Sequence, residues 1–298
     1  MKRARLALPF VLLVLLAACK PERPPVAKLG VTPDHLDLGW PAFTEIQISL
    51  EPLADLPGGD APPILFLHLL DEPGSVVRTF DHPLPQPWQR GRTMNYSVRV
   101  YQSALGEPLH PGDYLLTAGL YRPGRERYAL RTKGEEVGRY EYRVAGVTVS
   151  AASDRMPHAR FSEHWLPPQA GTDRQVVARR TLTGGSTGTI QFGPVDGAGR
   201  LMLAFVIPES AGSSRLEVLD GGTLPKVRLT SSCGGGQPEV SGVGRFQIDL
   251  DVPSAGATRL CDITVAPNFQ VTSTGRAEAT SVVFEGLSWG AAADEPAD

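Results

Sequence analysis

In the segment Phe80, Asp81, His82, Pro83 a carboxylate stands beside an imidazole, and His68 lies in the apolar run just before it. A carboxylate, an imidazole and a nearby hydroxyl are the parts of a nucleophilic relay. The spacing carries no family signature, so the competing reading is a strand end and turn organised by Asp81, His82 and Pro83. His158 and His164, with Glu163 beside the second, offer zinc-type ligands. Their six-residue separation is not that of a helix pair and no third ligand is near in sequence, so no metal is expected. Asp249 and Asp251 present oxygens of the kind calcium takes, but on an alternating strand they read as its outward polar face. Trp88, set among Pro85, Pro87 and Gly91, and Trp289 are the candidate ligand-binding aromatics, with Phe269 behind them. An exposed indole offers a rigid face to a sugar ring.

The remaining reactive side chains are three thiols, Cys19, Cys233 and Cys261. What they do depends on the start of the chain. Lys2, Arg3 and Arg5 form a basic front, and 6–16 is almost purely apolar. That stretch is too short to span a bilayer, which takes roughly 20 apolar residues, and it matches the apolar core of an export signal. Leu16, Ala17, Ala18 and Cys19 resemble the lipobox of bacterial lipoproteins. The resemblance implies a signal peptide over 1–18, and a Cys19 that carries a diacylglyceryl group and becomes the acylated first residue. Each buried CH₂ of such chains adds about 0.8 kcal/mol of membrane affinity. Lys20, rather than an aspartate, follows the cysteine, and the resemblance then leans toward the outer membrane. Residues 19–29 contain Pro21, Pro24 and Pro25 and read as an extended spacer between lipid and folded body.

Loss of residues 1–18 would take the formal charge from −3 to −6. A mildly acidic body has no electrostatic footprint for nucleic acid. The remaining length, about 280 residues, suits two domains of ordinary size. Gly 32 and Pro 27 are high, and short runs of Val, Leu, Tyr and Phe alternate with turn residues, which predicts all-β sandwiches.

The elements that must position the polar groups follow. Over 30–150, "TEIQISLEPL" (44–53) alternates, with Ile46, Ile48 and Leu50 on one face. "PPILFLHLLDEPGSVVRTFDH" (62–82) is a hairpin turned at "DEPGS". "TMNYSVRVY" (93–101), "HPGDYLLTAGLYRPG" (110–124) and "GRYEYRVAGVTV" (138–149) complete the set, the last with Tyr140, Tyr142 and Val144 on one face. Tyr114 is placed to return its hydroxyl to backbone as in a tyrosine corner. Together "FLHLLDEPGSVV", "DHP" and "PGDYLLTAGLY" resemble a small immunoglobulin-like sandwich found in bacterial envelope proteins, including the tails of membrane glycosyltransferases.

Over 150–170 the strand period is lost, as in a linker. Over 155–291 about seven short strands recur: 188–195, 200–208, 214–222, 225–231, 244–253, 258–269 and 279–289. Leu201 to Ile207 is apolar on both faces and should be central. In 244–253, Phe246, Ile248, Leu250 and Val252 point in and Gln247, Asp249 and Asp251 out. This predicts a second antiparallel sandwich, jelly-roll-like or immunoglobulin-like, loosely resembling non-catalytic jelly-roll modules, some of which bind carbohydrate. Residues 292–298 read as a disordered tail.

With Cys19 acylated, Cys233 and Cys261 are an even pair in an oxidising compartment and are expected to crosslink. They are 28 residues apart, a loop worth roughly 3–4 kcal/mol in the chain-entropy view. Gly234, Gly235 and Gly236 then form a chain reversal beside the bridge, where positive φ is cheap. They are no phosphate loop, since the lysine and the helix that follow such a loop are missing. The sequence thus predicts a lipid-anchored cell-envelope lipoprotein facing the periplasm or the surface. It would act as a non-catalytic module that binds an envelope protein or a glycan, without a cofactor. Carbohydrate recognition by the second sandwich and an envelope hydrolase are the alternatives.

Overall fold

The computed structural model describes residues 23–56, 61–124, 127–153, 156–170, 178–275 and 277–291. The expected signal peptide, the expected lipidation site Cys19 and the expected tail lie outside the described residues. Among the described residues there is no helix; the chain forms two largely antiparallel sandwiches, one after the other.

The first strand, β1 (Ala27–Thr32), starts inside the segment expected to be spacer. Ala27 and Leu29 are buried and Lys28 and Gly30 exposed, so period-2 alternation outweighs the prolines just upstream. Then β2 (His35–Leu38) crosses to the facing sheet, and β3 (Phe43–Pro52) returns with Ile46, Ile48 and Leu50 inward. A hairpin of β4 (Ile64–Leu70) and β5 (Val76–Thr79) turns at Asp71, whose carboxylate accepts the Ser75 amide at 2.6 Å. There follow β6 (His82–Pro83), β7 (Met94–Tyr101), β8 (Gly112–Tyr121), β9 (Leu130–Arg131), β10 (Glu136–Gly138) and β11 (Glu141–Val149). One sheet runs β7-β3-β1-β9, the other β10-β11-β8-β4-β5, with β2 and β6 added to it. The Tyr114 hydroxyl donates to the His110 carbonyl at 2.8 Å, the expected corner. The expected face of Tyr140, Tyr142 and Val144 is not kept. A bulge between Arg143 and Ala145 shifts the parity, so Tyr142, Ala145, Val147 and Val149 are the buried set.

The second body contains β12 (His158–Phe161), β13 (Gln169–Ala170), β14 (Ala178–Thr183), β15 (Gly188–Val195) and β16 (Gly199–Ile207). It continues with β17 (Ser214–Val218), β18 (Lys226–Ser231), β19 (Glu239–Ser241), β20 (Gly244–Val252), β21 (Arg259–Pro267), β22 (Phe269–Ser273) and β23 (Thr280–Ala291). Its sheets run β12-β15-β21-β18-β19 and β13-β14-β23-β16-β20. As expected, β16 is central, flanked by β20 and β23. Strand β12 occupies part of the stretch expected as linker, because Ala159 and Phe161 find a partner in β15.

Cys233 and Cys261 form the expected disulfide, with Cα atoms 5.3 Å apart. The β18–β21 ladder pairs Ser231 with Ile263, and the next in-phase pair along that register is Cys233 with Cys261. The bridge therefore closes the end of the ladder where hydrogen bonding stops. Gly235 (φ 90°) turns the chain there, and a Cβ on it would lie 2.8 Å from the Asp251 carbonyl oxygen.

The two bodies are fastened. Beyond the end of β14, the free edge of β23 takes partners from the first body. The Ala104 amide donates to the Leu287 carbonyl (2.8 Å) and the Trp289 amide to the Pro41 carbonyl (2.7 Å). The Ser288 hydroxyl donates to the Gln102 carbonyl (2.7 Å). Trp40, Ala104 and Leu105 sit in the hydrophobic core of the second body. Tyr101 presses on Gly286 and Phe43 on Gly290, where a Cβ would come within 2.9 Å and 2.8 Å of their rings.

Candidate functional site between the two sandwiches

A cavity of about 880 Å³ opens between the bodies. Strands β3, β5, β6 and β7 and the links after β5 and β6 supply its first wall; β14, β16, β20 and β23 supply the second. The first wall carries Asp81, His82, Tyr96 and Arg99, the second Arg179, Arg245, Asp249 and Glu285.

His82 lies in a strand rather than at a turn, paired to β4 through Leu65. Its Nδ1 is 2.9 Å from the Phe80 carbonyl oxygen and its Nε2 3.0 Å from the Tyr96 hydroxyl. A carbonyl only accepts, so Nδ1 carries the proton and Nε2 accepts from the phenol. Burial pushes the His82 pKa down, consistent with this neutral tautomer, and pushes that of Tyr96 far up. The relay of Asp81, His82 and a hydroxyl is therefore not assembled as the sequence spacing suggests. The imidazole nitrogen that a carboxylate would orient is held by backbone.

Asp81 turns instead toward His68, whose Nε2 is 3.5 Å from its Oδ1. No hydrogen bond reaches that oxygen. Burial raises the Asp81 pKa, and the neighbouring His68 and a backbone hydrogen bond from Leu67 offset only part of the effect. The other nitrogen of His68 meets Glu141 at 3.2 Å. Glu141 also accepts from Thr117 (2.7 Å) and from Arg127 (2.7 Å), and the Arg127 guanidinium lies over the Phe66 ring at 4.4 Å. Burial by itself would raise the Glu141 pKa, but hydrogen bonds from His68, Thr117 and Arg127 hold it at about 2. Two carboxylates on one imidazole are thus driven in opposite directions by their surroundings.

Across the cavity, Arg99 of β7 grips Asp249 of β20 through both terminal guanidinium nitrogens, Nη2 to Oδ2 at 2.7 Å, and its Nε donates to Glu45 at 3.0 Å. Arg200 stands 3.8 Å from Asp249 and 3.7 Å from the exposed Asp251. Asp249 does not point freely outward as its alternation suggests. Its two oxygens are committed to a guanidinium of the other body, which leaves no pair of open carboxylates for calcium. On the second wall Glu285 is held by Arg179 at 3.0 Å and by Arg245 at 3.6 Å.

The other sequence candidates lie elsewhere. Trp88 packs against the first core and donates to the Ala54 carbonyl at 3.0 Å. Trp289 packs against the second core, its ring 6.4 Å from that of Phe192 and over Gly199. Phe269 is fully buried. His158 faces the Trp40 ring at 5.0 Å, and His164 meets Glu163 at 3.8 Å. Among the described residues no three His, Cys, Asp or Glu side chains converge as a metal site would require. The motif Gly184, Gly185, Ser186, Thr187, Gly188 has the G-x-S-x-G spacing of a nucleophile elbow. In the structure it is the tight turn joining β14 to β15, not the strand-to-helix turn that exposes a nucleophile.

No protein-family model matches the chain, and no curated protein matches it by sequence. Among solved structures, the C-terminal domain of wzt aligns with a TM-score of 0.30 and 13% identity, over 44% of this chain and 77% of that one. Red sea bream transglutaminase aligns with a TM-score of 0.23 and 11% identity, over 84% and 31%. A structure described as pT26-6p aligns with a TM-score of 0.25 and 8% identity, over 89% and 64%. None of these likenesses assigns an activity or a residue to this chain, which is an all-β protein of two joined, largely antiparallel sandwiches.

Proposed function

We propose that the protein is a lipid-anchored cell-envelope lipoprotein whose paired sandwiches act as a non-catalytic binding module. The observation that carries the binding reading is the cavity between the bodies, where charged and aromatic side chains from both walls converge. Its size falls within the roughly 300–1,000 Å³ usual for ligand sites. The seam of backbone hydrogen bonds and buried Trp40 holds the walls at a fixed separation, so little freedom is lost on binding. The anchoring half of the proposal rests on the lipobox-like Leu16, Ala17, Ala18, Cys19, and the disulfide between Cys233 and Cys261 suits an oxidising envelope compartment.

Metabolic labelling with an alkynyl fatty acid tests the anchor. The chain should incorporate label and fractionate with membranes. Cys19→Ala should lose the label and the processed form. Label retained in Cys19→Ala, or none in the parent chain, contradicts the anchor.

A further inference from the structure

The cavity has polar capacity left over after its own ion pairs are counted, and that surplus lies on both walls. Asp81 lines the first wall; its Oδ1 is buried against His68, so the 23% of the side chain that stays exposed lies away from that oxygen. The Tyr96 oxygen spends its proton on His82 and retains its acceptor lone pairs. Arg245 meets Glu285 through Nε at 3.6 Å, and its side chain is 58% exposed. Asp81 and Arg245 both line the cavity, one on each wall.

The charges in that space nearly cancel. Arg99, Arg179 and Arg245 face Glu45, Asp81, Asp249 and Glu285. A polyanion would need an unbalanced basic wall, and a polycation an unbalanced acidic one. A wholly apolar ligand would strip water from the exposed faces of these ion pairs, at a cost of several kcal/mol. The ligand chemistry that remains is uncharged, rich in groups that both donate and accept, and apolar on one face. Half-buried rings stand on both walls for such a face, Tyr96 on β7 and Phe246 on β20. Vicinal hydroxyls match the planar oxygen pair of a carboxylate and the nitrogen fork of a guanidinium.

Resting on the binding-module reading above, we propose that the cavity between the two sandwiches is the site for a short, uncharged saccharide. Asp81 and Tyr96 take its hydroxyls from one side, Arg245 from the other, and the Tyr96 and Phe246 rings meet its C–H faces. This places recognition between the bodies and not at Trp289 or Trp88.

The test uses the full chain in detergent micelles against an array of neutral oligosaccharides, followed by calorimetric titration of whatever is retained. Asp81→Asn and Arg245→Ala are compared with Arg228→Ala, which lies on β18 paired with Glu239. A loss of at least tenfold in affinity for both cavity variants, with melting temperature not lowered and the Arg228→Ala titration unchanged, is the expected result. Retention that neither cavity variant alters overturns the site and leaves the protein a saccharide binder elsewhere. A second arm places a photoreactive benzophenone at position 97 on the cavity wall. Capture of an extended peptide there, with no saccharide retained, overturns the saccharide class and keeps the cavity as a binding site. Neither retention nor capture overturns both this proposal and the binding-module reading.

Discussion

The cluster around His68 and the cavity beside it use the same chemical parts to different ends. In the cluster, Glu141 accepts from His68, Thr117 and Arg127, and Arg127 also covers Phe66. The acceptor is fully supplied, and its pKa falls to about 2. At the cavity wall, Asp81 has one oxygen buried beside His68 without a donor, and its pKa is raised. His68 touches both carboxylates, so the contrast is not one of residue type. It lies in how many donors each carboxylate receives as burial removes water. A satisfied network ties strands together. An incompletely satisfied one leaves a carboxylate whose charge burial opposes and which a further donor at its exposed side would stabilise.

The largest effect should come from breaking the seam that makes the cavity at all. Trp40→Ala withdraws an indole from the core of the second body and should cost about 3–5 kcal/mol in chemical denaturation. The unfolding transition should also broaden or split as the bodies uncouple. A single, equally steep transition would mean that the backbone bonds at Leu287 and Trp289 suffice to join them.

Glu141→Gln sharpens the contrast from the closed side. A carboxyl held below its ordinary value stabilises the fold above the unfolded-state pKa, near 4.5, and that contribution fades as pH falls toward 2. The variant should lose about 2–4 kcal/mol at pH 7, and the difference from the parent should shrink through pH 4 and vanish near pH 2. A difference that is constant with pH would place the effect in packing. Arg99→Ala should cost less, about 1–2 kcal/mol, because the pair it breaks with Asp249 is partly exposed. Its mark is salt sensitivity: the parent, and not the variant, should weaken as ionic strength rises.

The fold was largely legible from alternation and turns. Strands such as 44–53 and 93–101, the Tyr114 corner and the bridge from Cys233 to Cys261 all rest on local pattern, cysteine parity or both. What failed to show has physical reasons. The bulge at Arg143 reverses the inward face of β11 and leaves no compositional trace. Strand β14 is masked by Arg179 and Arg180, whose long side chains reach Glu285 and the Phe161 ring while the backbone pairs with β23. Asp249 looked outward because alternation reports only which side of a strand a residue takes, and here that side meets another body. The cavity is assembled from residues between Glu45 and Glu285 with no fixed spacing, so no linear motif could announce it.

One paired measurement bears most directly on the difference between the closed cluster and the open cavity. Stability at pH 7 and saccharide affinity are determined side by side for Asp81→Asn and Glu141→Gln. The raised pKa of Asp81 means that its charge opposes folding, so Asp81→Asn should melt at or above the parent temperature while losing at least tenfold in affinity. Glu141→Gln should melt lower and, at a temperature where it is still folded, bind as the parent does. The reverse pattern, with Asp81→Asn destabilised and binding intact, would contradict the account.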